Sequence, residues 1–389
     1  MAAFYRYLFC DAATGVLIEE LPLDCQSFSA TISGAGQCTG TLTLGDLGPA
    51  RWQLATIPKR SLLVIQRDDQ IVWSGIIMRR RATNGGTAAE ITAETLEGWL
   101  ARQEIQADLT FSNVDKFDIV RGLVAHVAAQ AGGNMRLDTG ANTAGFGDTI
   151  SYLGKDSTKL ADAISKLAEP TPGFEYTVTW TRSAGVFTPH LALATPALSA
   201  AVDPIVLEYP GSLTDYDYPE DGANAPNVVT AVGSEMVGVP LIARVEDTTG
   251  ELAAGVPRFP GQLAAKDETD WVRLNARATT ALQAGLADSV VPTAELRGDA
   301  DPSFGSFPIG VAVRLRATSL YHPAGVNGRP GLDVVRRVTG WTVTPGRGEK
   351  VTLALGAATG KVAVPPSQRD VATYLRELDR RMRSVETRM

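Results

Sequence analysis

Leu62-Leu63-Val64-Ile65-Gln66-Arg67, Asp68-Asp69-Gln70 and Ile71-Val72-Trp73-Ser74-Gly75-Ile76-Ile77 together decide the class of the fold. Two runs rich in β-branched residues flank a short polar turn, the signature of a β-hairpin. Upstream the signature recurs. Phe4-Tyr5-Arg6-Tyr7-Leu8-Phe9 reads as a strand, followed by a turn from Asp11 to Gly15 and a second strand at Val16-Leu17-Ile18. Phe28 to Ile32 and Gly40 to Leu44 alternate with period two across Gly34-Ala35-Gly36. Ala88 to Glu94 closes the set after Asn84-Gly85-Gly86. Residues 1–105 therefore read as a first β-barrel or sandwich of short antiparallel strands.

Beyond residue 105 the period changes. Phe117, Val120, Leu123, Val124, Val127 and Ala131 recur at helical spacing until Gly132-Gly133. A second helix runs from about Ser157, with Leu160, Ile164 and Leu167 on one face, to Pro170. A hairpin follows, Phe174 to Trp180 with Gly185 to Leu193, so residues 106–204 read as an α/β domain. Strands return at Ile205-Val206-Leu207-Glu208-Tyr209, Asn227 to Gly233, Val311 to Arg316, Leu332 to Val343 and Val351 to Leu355. A helix from Thr269 to Leu286 is expected to bury Trp271, Leu274, Ala278 and Leu282. The expected organisation is mainly β with α+β insertions. It has two β-barrel-like domains (1–105; 205–239 with 299–358), two small α/β insert regions (106–204 and 240–298) and, over 359–389, a linker and coiled-coil helix.

That last helix rests on one stripe. Val371, Leu375, Leu378, Met382, Val385 and Met389 follow alternating steps of four and three, the spacing of a heptad seam. Pro365 and Pro366 stop the preceding segment, and Ser367 offers a capping oxygen. Such a stripe either packs on the chain's own globular body or joins neighbouring copies. With fewer than four heptads it cannot hold an oligomer alone, so the main assembly surface belongs to the body.

Length and charge exclude several classes. The 389 residues exceed one ordinary core, so several domains are expected. A net charge of −7 argues against a general affinity for nucleic acid. The three cysteines, Cys10, Cys25 and Cys38, fit no zinc spacing and read as apolar fillers or free thiols. The run Phe4 to Cys10 is too short and too aromatic for a signal peptide. No window approaches the ~20 apolar residues of a membrane span, so a soluble protein or particle component is expected.

No catalytic constellation emerges. His126, His190 and His322 fall in different elements, and no Gly-x-Ser-x-Gly, Walker or His-Glu-x-x-His motif occurs. Asp215, Asp217, Glu220 and Asp221 lack the ordered ligand pattern of a calcium loop and read as solvated surface. Tyr209, Tyr216 and Tyr218 nearby suit an interface patch. Arg79-Arg80-Arg81 is too short for a nucleic-acid arm and reads either as a solvated strand end or as a partner for carboxylates of a neighbouring subunit. The six tryptophans lie mostly inside patterned elements and read as core.

Ile71-Val72-Trp73-Ser74-Gly75-Ile76-Ile77 resembles a segment of the first barrel of phage tail-hub proteins. Asp221 to Val229, with Ala223-Asn224-Ala225, resembles the entry to their second barrel. Phe307 to Val313, Val338 to Val343 and Val351 to Gly356 resemble its closing strands. The order of these segments is similar to the central hub, baseplate hub or minor tail protein of tailed bacteriophages. That resemblance implies a homotrimer whose two barrels per chain make a pseudo-sixfold ring between the sixfold tail tube and the threefold tip. It implies a distal tail protein or tail tube on one side. A fibre, spike or other tail-tip protein is implied at the C-terminal helix, with a tape-measure protein in the lumen and transient passage of DNA. It implies assembly in the host cytoplasm, a place at the virion tail tip, no cofactor, no metal and no catalysis. A receptor-binding or adhesin-type tail-tip module is the alternative, favoured if aromatic side chains line an open groove.

Overall fold

The computed structural model describes residues 3–357, apart from 46, 170–172, 200–202, 220–221, 223–224, 237, 267, 289–291, 299 and 326–329. Seven strands come first: β1 Tyr5–Asp11, β2 Leu17–Glu20, β3 Leu23–Thr31, β4 Gln37–Thr43, β5 Ser61–Arg67, β6 Gln70–Thr83 and β7 Ala88–Glu94. Short helices α1 (Pro49–Ala55) and α2 (Leu96–Leu100) lie between and after them. The β5–β6 hairpin turns at Asp68 and Asp69, whose φ values of +48° and +66° match the tight turn that suits strand twist.

A second set completes the same sheet: β12 Ile205–Tyr209, β13 Leu213–Asp217, β17 Thr293–Leu296, β18 Ala312–Ala317, β19 Leu332–Thr344 and β20 Lys350–Ala357. The intervening elements are β8 Leu109–Asp115, α3 Lys116–Ala128, β9 Gly147–Tyr152, α4 Leu160–Ala168, β10 Glu175–Ser183 and β11 Val186–Ala194. The remaining ones are β14 Val228–Met236, β15 Val239–Glu246, β16 Pro260–Ala264 and α5 Trp271–Asp288.

The two expected β-barrel-like domains share a sheet, and no closed barrel is found among the described residues. All thirteen strands of the two sets form one sheet, in the order β13-β17-β20-β19-β3-β4-β7-β6-β5-β1-β2, with β12 joined through β18. The cause is β19. One of its edges carries β20, while the other carries β18 over Leu332–Arg337 and then β3 over Gly340–Val343. At Gly340 a Cβ would stand 2.9 Å from the Ala30 carbonyl oxygen, so glycine lets the two backbones meet there. Neither half closes on itself among the described residues.

One core runs through both halves. Phe9, Phe28, Leu63 and Ile77 pack in the same buried cluster as Leu207, Leu315, Val343 and Leu353. Phe28, Phe304 and Trp341 meet at the seam, with ring centroids 5.0–6.4 Å apart in tilted or edge-on contacts. Cys25 and Cys38 sit in this core as thiols, their sulfurs 3.7 Å apart; Cys10 is buried in a neighbouring cluster.

The α/β module packs α3 and α4 against β10 and β11 around Phe117, Leu123, Ile164, Phe174 and Leu191. Asp115 caps α3, its carboxylate accepting from Phe117 N at 2.9 Å, Ala144 N at 3.0 Å and Gly145 N at 2.9 Å. Burial raises the Asp115 pKa, but these backbone donors, with that of Asp118, outweigh it and leave the carboxyl below its ordinary range.

The third unit is a small sheet, β15-β14-β16, with α5 on one face. Its β14 was expected in the second barrel and lies here because Val229 and Ala231 face Leu274, Ala278 and Leu282 of α5. Conversely β17, expected in the insertion, pairs with β13 and β20 in the large sheet. Trp271, expected in the core, is 52% exposed at the first turn of α5. No helix among the described residues is long and apolar enough to cross a membrane.

Candidate assembly surfaces and the module junction

Three buried carboxyl groups tie distant segments together, two of them across the junction with the α/β module. Glu175 of β10 forms a two-point pair with Arg337 of β19, at 2.9 Å (Oε1–Nη1) and 2.7 Å (Oε2–Nη2). Arg337 also donates to the carbonyls of Gly310 and Leu198, and Glu175 Oε2 accepts from Leu198 N. Glu349, in the turn between β19 and β20, receives Arg67 of β5 at 2.8 and 2.9 Å and the Tyr5 hydroxyl at 2.5 Å. Burial and the Glu349 carboxylate push the Tyr5 hydroxyl upward. Glu97 of α2 accepts from Val178 N at 2.7 Å and Thr177 Oγ1 at 3.3 Å. Burial raises its pKa despite those donors.

Glu97 and its partners Thr177 and Val178 line a half-open cavity of about 500 Å³. Trp73, Trp180 and Trp341 line it with Phe304, Phe307 and Ile309, and Glu97 is the one ionisable residue in its wall. Trp73 is buried and donates to Ser29 O at 2.8 Å; Trp180 and Trp341 are half-buried. Of the other tryptophans, Trp52 carries Arg80 5.2 Å from its ring, and Trp99 packs partly buried beside the α/β core.

The large sheet has open ends. At β2, Leu17 and Ile18 are exposed, while Glu19 and Glu20 are paired with Arg51 and Arg6. At the other end β12 leaves Val206 exposed and β13 leaves Asp215 and Asp217 exposed. Unpaired strand edges are templates for strands of another chain. Other exposed apolar side chains are Val239 and Ile242 on β15 and Trp271 and Val272 in the first turn of α5.

The sequence placed Tyr209, Tyr216 and Tyr218 in one patch, and the structure brings them together. Tyr209 packs edge-on against Tyr216, with centroids 5.1 Å apart. Both Tyr216 and Tyr218 contact the His322 ring, and Tyr321 covers it at 4.7 Å. The Tyr216 hydroxyl lies 2.7 Å from Ser319 Oγ and 2.9 Å from His322 Nδ1. Leu320 and Tyr321 project from this end, fully and 69% exposed. The role of His322 and Tyr321 was not legible locally, because the loop between β18 and β19 carries no pattern.

The other histidines are held by local bonds. His126 Nε2 accepts from Gln106 N at 3.1 Å. His190 bridges Asp138 Oδ2 at 2.8 Å and Thr181 Oγ1 at 2.6 Å, the order of a nucleophile relay. It lies on the β10–β11 hairpin and does not line the cavity above. In the arginine run Arg79 is exposed, Arg80 donates to Gln53 O and Arg81 pairs with Glu90 within the chain. Val371, Leu375, Leu378, Met382, Val385 and Met389 lie outside the described residues, as do Glu220 and Asp221.

No family model matches the chain, and no curated protein matches it by sequence. Solved structures do match. A tail protein from Neisseria meningitidis superposes with a TM-score of 0.60 at 15% identity, over 90% of this chain and 96% of that one. The chain has the fold of phage tail proteins. A prophage tail protein from Shewanella oneidensis matches with a TM-score of 0.61 at 12% identity, over 91% of this chain and 98% of that chain. A prophage tail protein from Listeria monocytogenes matches with 0.54 at 11% identity, over 95% and 99%. The tail-protein fold thus includes the large sheet and both inserted modules.

Proposed function

We propose that this chain is a structural hub protein of a phage tail tip, working as a homotrimeric ring. The observation that carries the reading is the match to tail proteins over nearly their whole lengths. Two β units per chain, residues 1–105 and 205–217 with 293–357, supply six units in three copies. Pairing the β2 end of one copy with the β12/β13 end of the next is a head-to-tail contact that closes under threefold rotation. Such closure also removes the exposed edges. The ring adapts a sixfold tail tube, or a distal tail protein, to a threefold tip. Its lumen passes DNA and the tape-measure protein without gripping them, which a net charge of −7 favours. Residues 367–389 add a short three-stranded coiled coil that holds a fibre, spike or other tip protein. No catalytic step belongs to this role.

Mass measurement of the purified chain, with imaging for a ring with a central hole, tests the assembly. A trimer is expected, and it persists when residues 367–389 are deleted; a monomeric deletion product overturns body-driven assembly. A second reading, a receptor-binding module, is favoured by the tryptophan-lined cavity. Binding of purified host-surface polysaccharide that is lost in Trp180→Ala supports it over the hub.

A further inference from the structure

The cavity beside Glu97 combines aromatic rings with polar groups that lack partners. Trp180 and Trp341 are half-buried in its wall. Trp341 is fixed edge-on against Phe28 and Phe304, with ring centroids 5.6 and 5.0 Å away. The volume of about 500 Å³ lies within the usual range of small-ligand pockets.

Strand alternation sets the polar side. Tyr176 and Val178 turn their N–H groups away from β11, to Ser33 Oγ at 3.2 Å and Glu97 Oε1 at 2.7 Å. The register of β10 with β11 is unbroken, so the Trp180 N–H lies on the same open edge. There it has no acceptor among the described residues. Thr179 lines the cavity too, and its hydroxyl makes no hydrogen bond among the described residues. Glu97 Oε2 is likewise buried and unpaired among them. Burial raises the pKa of Glu97 and so favours its neutral form. No basic side chain is among the residues that line the cavity.

A pyranose ring suits that combination. Its C–H faces are apolar and match aromatic rings, while the hydroxyls around its rim both donate and accept. A charged sugar would give up its hydration against a wall that offers no countercharge.

We propose that this cavity binds an uncharged sugar residue, with Trp180 and Trp341 against its C–H faces and the Trp180 N–H and Thr179 hydroxyl at its rim. The proposal rests on the second reading above, in which the cavity meets a receptor, and it names the chemical class that the receptor presents.

The test titrates the full-length chain at neutral pH with methyl glycosides of glucose, galactose, mannose and N-acetylglucosamine, followed by saturation-transfer NMR. Glucuronic acid and glucosamine serve as the charged counterparts. At least one neutral glycoside should bind saturably, with a dissociation constant on the order of millimolar and about tenfold below those of the charged sugars. Trp180→Ala should weaken that binding about tenfold or more, and Thr179→Val about threefold. His190→Ala, on the same hairpin but outside the cavity, should leave it unchanged. If Trp180→Ala does not fold, Thr179→Val decides alone. Charged sugars that bind as tightly, and are lost in Trp180→Ala, overturn the proposal while the receptor-binding reading stands. No saturable binding of any sugar, or binding that neither cavity variant affects, overturns both. The mass of the chain reports ring assembly independently.

Discussion

Glu175 and Arg337, 162 residues apart in sequence, meet as a two-point ion pair in which both side chains are at most 5% exposed. The pair fixes the β10–β11 hairpin against the long strand of the main sheet. Its stability contribution is set by geometry, because desolvating two charges offsets most of their attraction.

Arg337→Met strands the Glu175 carboxylate in a dry site. The expected loss is about 3–5 kcal/mol in urea unfolding. Adding Glu175→Met should recover more than half of it, since the apolar pair leaves no buried charge. A double variant as unstable as the single one would falsify this account.

Phe28→Ala opens a hole at the seam of the two β halves and should cost about 3–5 kcal/mol. Because one core runs through both halves, amides of β5 and β20 should lose hydrogen-exchange protection together. Loss confined to β1–β7 would show that the halves unfold independently.

Glu97→Gln should stabilise the chain at neutral pH. The folded carboxyl has a raised pKa, so the folded state holds its proton more tightly than the unfolded one. Stability is therefore lost as pH rises from the unfolded value, about 4.3, through the folded one. The variant removes that loss. Its advantage in melting temperature should be small near pH 4 and reach about 1–3 kcal/mol equivalent above the folded pKa. An advantage independent of pH contradicts the assignment.

Asp115→Ala removes three backbone partnerships at the start of α3 and should cost about 1–2 kcal/mol. The carboxyl's pKa is lowered on folding, so its contribution is present above the unfolded value, about 3.9, and disappears as pH falls through the folded one. The difference between wild type and variant should narrow at acid pH in thermal melts. An unchanged difference at pH 2 rules out the carboxylate as its source.

Hairpins and helices were legible because their signals are local. The β5–β6 hairpin, α3, α4 and the β10–β11 hairpin all appear where periodicity and turn residues put them. Pairing between β3 and β19 was not legible, since nothing near Phe28 or Trp341 encodes a partner some 300 residues away. The same blindness misplaced β14, whose apolar pattern suits any half-buried sheet. Trp271 failed for a related reason. A helical stripe tells which face is apolar, not how far the covering sheet extends, and this stripe's first residue overhangs the edge. Of the assembly surface, the three tyrosines were legible and the loop that completes their cluster was not.

Seating β3 and β18 end to end on one edge of β19 has a mechanical consequence. Tension along the strands between the two halves runs parallel to the β3–β19 ladder, so its bonds are loaded in shear and must yield together. A single residue inserted just before Gly340 slips the register by one and turns Trp341 and Val343 to the opposite face. The seam is therefore stiff along the strands and brittle to changes in chain length, whereas the loops at either end of β19 absorb both.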